Sequence, residues 1–76
     1  MQETARAELQ ALGVAIRKER KRLNLSQEDF AELCDLHRTY VGQIERGEKN
    51  ISFENTLRVS RAFKMKPSRL LEKANL

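Results

Sequence analysis

The 76-residue sequence predicts an all-α protein of five short helices, and three observations carry that reading. Aliphatic residues recur at intervals of three and four, which is the spacing of one helical face. Helix-starting residues stand at the head of three periodic runs, at Ser26, Ser52 and Pro67, and helix-ending residues close two others, at Asn24 and Gly47. With 39% apolar and 34% charged residues, the composition suits a folded chain rather than a disordered tail.

The first helix is expected between Glu3 and Leu23, where Ala5, Leu9, Leu12, Ile16 and Leu23 form a single apolar stripe. Arg17, Lys18, Arg20, Lys21 and Arg22 crowd its last turns, where cations suit the negative end of the helix dipole. That basic run reads equally as a solvated helix end or as a phosphate-contacting one. Ser26 is an N-cap, with Asp29 three residues on, so a second helix should run to Cys34 with Phe30, Ala31, Leu33 and Cys34 on its apolar face. A third begins near His37, carries Tyr40, Val41 and Ile44 inward, and stops before Gly47. Only Asp35 and Leu36 join the second and third, and so short a link forces a sharp turn: a helix-turn-helix at about residues 27 to 46. Ser52 opens a fourth helix to about Phe63, with Phe53, Thr56, Leu57, Ser60 and Phe63 along adjoining faces. Lys64 to Lys66 form a link, and Pro67 starts a short fifth helix around Leu70 and Leu71.

Several function classes fall away. Cys34 and His37 are single, so an internal disulfide and a zinc site built by the chain are excluded. Gly13, Gly42 and Gly47 stand too far apart for a phosphate loop or dinucleotide loop, and no paired carboxylates or nucleophile–base set supports an enzyme. The chain lacks an apolar run of about 18 residues and a signal-like N-terminus, so no membrane partner and a cytoplasmic location are expected. Residues 1 to 76 read as one domain. Fifteen Lys and Arg against eleven Asp and Glu give +4, which admits a nucleic acid or an anionic surface as partner.

The stretch Ser26-Gln27-Glu28-Asp29-Phe30-Ala31-Glu32-Leu33, then Leu36-His37-Arg38-Thr39-Tyr40-Val41 and Ile44-Glu45-Arg46-Gly47, resembles the lambda-repressor/Cro-like family of DNA-binding domains. The resemblance covers about residues 9 to 73. Within the family, the run Leu36 to Tyr40 followed by Glu45 to Asn50 looks most like the small controller proteins of restriction-modification systems. One departure is Asp35, where the family has Gly at the turn; Asp tolerates the left-handed conformation better than most residues.

The resemblance implies a regulator of transcription, repressor or activator, that times expression of a restriction endonuclease without catalysis or a cofactor. Docked in the family's manner, the third helix enters the major groove of double-stranded DNA and the second crosses the backbone. Base reading then falls to Arg38, whose planar fork matches guanine O6 and N7, to Thr39 and to Gln43, which suits adenine. Tyr40 reads either as packed inward or as reaching DNA. Gln27, Arg46, Lys49 and Asn50 are the candidate phosphate contacts, and Lys18 and Arg22 reach a flanking phosphate or serve solubility. His37 is a base or phosphate contact or an idle cap histidine, while Cys34 is read as a core thiol.

One head reads too few base pairs to select an operator, so a homodimer on a palindrome is expected. Leu57, Arg58, Arg61, Phe63 and Met65 are its candidate interface, because Leu57 and Val59 offer more apolar surface than one small core needs. RNA polymerase is a further candidate partner through Glu45 and Glu48, although a helix-terminal ion pair explains them more simply. The alternative function is an antitoxin-like or phage-derived interaction module that uses the helix-turn-helix as scaffold.

Overall fold

The computed structural model describes residues 3–76, with side chains from residue 5 onward, so the first two residues of the expected domain lie outside the description. Five helices follow one another: α1 (Glu3–Arg22), α2 (Gln27–Cys34), α3 (Arg38–Glu45), α4 (Phe53–Ala62) and α5 (Pro67–Lys73). No strand occurs among the described residues. Each start has a local cause. Ser26 Oγ accepts from the Asp29 amide and Ser52 Oγ from the Asn55 amide, both at 3.0 Å, satisfying N–H groups that the helices leave open. Pro67 occupies the first turn of α5, where its missing N–H costs nothing.

The stops are equally local. Asn24 ends α1 at φ 59° and Asp35 ends α2 at φ 58°, both left-handed. At Asp35 the Leu36 amide reaches back to the Ala31 carbonyl (2.9 Å), closing the turn, and Arg58 of α4 holds the Asp35 carboxylate at 3.2 Å. This is how the turn accommodates a residue other than Gly. Gly47 closes α3 at φ +71°, and any side chain there would meet Gln10 of α1 at about van der Waals overlap, its Cβ 2.6 Å from Cγ.

The core gathers Leu12, Ala15 and Ile16 of α1, Phe30, Ala31 and Cys34 of α2, Val41 and Ile44 of α3, Val59 and Phe63 at α4, and Leu70 and Ala74 at α5. Phe30 and Phe63 stack with ring centroids 4.7 Å apart, joining α2 to the end of α4. Three sequence expectations change here. Phe63 and Val59 belong inside the protomer, so Phe63 is removed from the candidate interface and Val59 offers no surplus surface. Leu23 lies past the end of α1 and is 38% exposed, outside the buried stripe. Leu33 and Phe53, each on a proposed apolar face, are 60% and 75% exposed. Cys34 is buried as expected, and burial pushes its thiol up to about 12, which keeps it protonated and unreactive.

The basic end of α1 is not uniformly solvated. Arg20 is buried, and its Nε and Nη2 donate to the two carboxylate oxygens of Glu45 at 2.6 and 3.0 Å. Arg20 Nη1 donates to the Leu25 carbonyl at 2.8 Å, and Gln27 Nε2 donates to Glu45 Oε1 at 3.0 Å. One charge pair thus ties the end of α1, the α1–α2 link, the start of α2 and the end of α3. Two backbones meet beside it: a Cβ on Gly13 would lie 2.4 Å from the Ile44 carbonyl oxygen and 2.6 Å from that of Glu45, so only Gly permits this approach of α1 to α3. Glu19, also buried, accepts from Arg22 and faces Lys73 of α5 at 3.8 Å. The Arg22 hydrogen bond outweighs burial and holds the Glu19 carboxyl below its ordinary 4.5, with a smaller pull from Lys73.

Two outcomes follow for stability. Glu45→Ala strands a buried guanidinium and is expected to cost about 3–5 kcal/mol in urea unfolding, part of which Arg20→Met in the same background restores. Because the folded Glu19 carboxyl titrates below the unfolded one, its contribution is complete above about pH 4.5 and is lost as pH falls through the lowered folded value. The difference in urea midpoint between wild type and Glu19→Gln should therefore be largest near neutrality and shrink on acidification; a constant difference would sink the assignment.

Candidate nucleic-acid interface

Helix α3 has a committed face and an open one. Val41, Gly42, Ile44 and Glu45 are buried, whereas Arg38 and Thr39 are exposed and Gln43 is half-buried at the surface. The side chains expected to read bases therefore sit together on the outer side, and the first turn is the part not enclosed by neighbours. That turn is set by His37, whose Nδ1 accepts from the Thr39 amide at 3.1 Å and caps the helix. His37 is exposed, so its visible role is structural.

Tyr40 lies half-buried against the core, and its hydroxyl accepts from Asn55 Nδ2 of α4 at 3.0 Å. The ring packs inward while the oxygen remains near the surface, so the two readings of Tyr40 describe different ends of one side chain. Gln27 is half-buried at the start of α2 with one amide hydrogen given to Glu45; its other amide hydrogen is available to a phosphate. Arg46, Lys49 and Asn50 are all exposed just beyond α3. Arg46 folds back across α3, where a Cβ on Gly42 would lie 3.1 Å from its Nη1 and 3.6 Å from Gln27 Oε1, so two candidate phosphate contacts converge over a residue that has no side chain.

Acidic groups interleave with these cations. Arg46 Nε and Nη2 donate to Glu48 at 2.9 and 3.2 Å, which holds the Glu48 carboxyl below and the Arg46 guanidinium above its ordinary value. Arg38 faces Glu28 of α2 at 3.5 Å. Both pairs are exposed, and exposed pairs of this kind are weak and screened by solvent. Glu45 is only 7% exposed and committed to Arg20, so its reading as a polymerase contact is withdrawn and the ion-pair reading holds; of the two glutamates, Glu48 alone is at the surface.

The flanking cations are placed elsewhere. Lys18 lines a groove with Lys73, Ala74 and Asn75 at the end of α5, and Arg22 is bound to Glu19. On α4, Phe53, Leu57 and Arg61 fall four residues apart along one outward stripe. Arg58 is held within the protomer by Glu54 and Asp35, and Met65 packs half-buried on the core. Among the described residues no group of three or more His, Cys, Asp or Glu side chains could hold a metal ion, and no helix is long and apolar enough to cross a membrane.

Sequence reasoning missed the Arg20–Glu45 pair and the Asn55–Tyr40 bond. The first had a signal: Glu19 and Arg20 fill the gap between Ile16 and Leu23 in the apolar stripe of α1, a position that implies burial. The second joins residues fifteen apart on different helices and has no local signature.

Comparison with known proteins agrees with this geometry. A family model described as Helix-turn-helix matches residues 16–70. The control protein C.BamHI of Bacillus amyloliquefaciens is 49% identical over 49 residues, which is 64% of this chain and 60%, less than two thirds, of the relative's own length. The control protein C.SmaI of Serratia marcescens is 38% identical over 61 residues, 80% of this chain and 73% of the relative. The crystal structure of the restriction-modification controller protein C.AhdI from Aeromonas hydrophila superposes with a TM-score of 0.82 at 41% identity, covering 84% of this chain and 97% of that one. With one core, a sharp α2–α3 turn and an outward-facing first turn of α3, the chain belongs to the lambda-repressor/Cro-like helix-turn-helix family and is similar, within it, to the control proteins of restriction-modification systems.

Proposed function

We propose that this single domain acts as a homodimeric, sequence-specific regulator of transcription on a palindromic operator, as the controller of a restriction-modification system and without catalysis or a cofactor of its own. The observation that carries this reading is the division of α3. Its inner face is locked by the core and by Glu45, and its outer face presents Arg38, Thr39 and Gln43 at one end. Arg38 reads guanine through its fork, Thr39 offers a hydroxyl and a methyl group, and Gln43 reads adenine. The Tyr40 hydroxyl serves at the edge of the same surface. Gln27, Arg46, Lys49 and Asn50 hold phosphates on either side and fix the register.

The working unit on DNA is two copies, whose reading helices meet half-sites roughly 34–36 Å apart. Leu57 and Arg61 remain the candidate interface, now extended by the exposed Phe53. Double-stranded operator DNA in the cytoplasm is the principal partner, and RNA polymerase is the further one, with Glu48 as its surface contact. The names of the relatives favour this reading over an interaction module that uses the same fold as scaffold.

Selection of bound sequences from random DNA should return a palindrome of fixed spacing. Arg38→Ala should then lower discrimination at one base pair of each half-site by about 1–3 kcal/mol, roughly 5- to 150-fold, and affinity should fall steeply with salt. Binding that is salt-labile but enriches no motif would support the interaction module instead. Leu57→Glu should convert the dimer to a monomer in light scattering while leaving the helical circular dichroism intact; a dimer that survives it moves the interface off α4.

A further inference from the structure

Arg38 does not stand alone at the start of α3. Its Nη1 lies 3.5 Å from Oε2 of Glu28 in the first turn of α2, and the two side chains are 63% and 76% exposed. The backbone between them is well determined: Asp35 is fixed in the left-handed turn by its bonds to α2 and by Arg58, and His37 caps α3. The carboxylate and guanidinium are therefore brought face to face by the geometry of the turn.

The pairing uses one corner of the fork. Contact through Nη1 leaves the edge formed by Nε and Nη2 open, and two parallel donors on such an edge are what guanine O6 and N7 require. Arg46 makes the opposite arrangement, since its carboxylate partner Glu48 occupies Nε and Nη2 themselves. Arg46 must release Glu48 to grip a phosphate in that way, whereas Arg38 can keep Glu28 while it reads.

We infer that Glu28 is a positioning residue for base recognition, holding the Arg38 fork with its reading edge toward the groove, with a repulsion from phosphates that a guanine contact offsets. The inference rests on the DNA-reading role of Arg38 proposed above. In water the pair is weak and screened. Docking against DNA excludes water from around it, strengthens the attraction and narrows the rotamers open to Arg38. The carboxylate repels the polyanion on every sequence, and only where the guanine is present does the oriented fork make a base contact that offsets the repulsion.

The test uses the full chain with two duplexes: one recovered by wild-type selection from random DNA, and the same duplex with the Arg38-dependent guanine pair replaced. Glu28→Gln should lower the ratio of the two affinities about fivefold, a fraction of one bidentate contact, while raising affinity for the replaced duplex. Glu28→Asp keeps the charge but draws the carboxylate back, and should lower the ratio without raising affinity for the replaced duplex. In an Arg38→Ala background Glu28→Gln should leave the ratio unchanged. An equal rise on both duplexes with Glu28→Gln, or a ratio that Glu28→Asp preserves, makes the carboxylate a bulk charge and overturns the inference while the reading role of Arg38 stands. If Arg38→Ala itself leaves the selected motif intact, that reading role fails and the inference with it. Thermal melting of each variant should match wild type, because Glu28 is exposed and outside the core.

Discussion

The buried pair between Arg20 and Glu45 is the constraint on which the rest of the arrangement depends. It fixes the far end of α3 against α1 and, through Gln27 and the Leu25 carbonyl, against the start of α2. Desolvating two charges costs several kcal/mol, and the pair recovers that cost only because the available donors and acceptors are matched. Among the described residues no buried side-chain nitrogen or oxygen is left without a partner. A wholly apolar contact at this place would hold the helices together with less control over direction. The bidentate geometry anchors the end of α3 against α1, on the helix whose Val41 and Ile44 enter the core while Arg38 and Thr39 stand outside.

Much of this was legible in the sequence, because much of it is local. The starts at Ser26, Ser52 and Pro67, the left-handed stop at Gly47 and the short link through Asp35 depend on residues within one turn of the effect they produce. The structure carries all five helices at the places those signals indicate. What sequence reading could not reach is pairing between helices. Phe63 looked like a candidate interface residue because nothing near it in sequence identifies Phe30 as its stacking partner. Arg20 looked like one more cation in a basic run, and its burial follows from Glu45, twenty-five residues away. Sequence placed Arg38, Thr39 and Gln43 on one helix and Glu28 in the first turn of the helix before it, but it did not reach the contact between Glu28 and Arg38, because a contact across a turn depends on the angle between two helices.

The α2–α3 turn links these levels. A residue other than Gly at Asp35 carries a local conformational cost, and the side chain that incurs it also supplies the carboxylate held by Arg58. Arg58 in turn is steadied by Glu54 one turn earlier on α4. The loss of conformational ease at the corner is thus met by a tether from α4.

Gly13 has a consequence for how such a protein changes over generations. It lets the α1 backbone rest on the last carbonyls of α3, so the end of α3 is supported by main chain, which substitutions elsewhere on the outer face leave in place. Residues 38, 39 and 43 contribute little to the core and can be exchanged without disturbing that support. On the proposed reading, a lineage acquires a new operator through a few replacements on an inherited frame, and two closely related systems sharing one cell become deaf to each other's DNA while keeping the same fold.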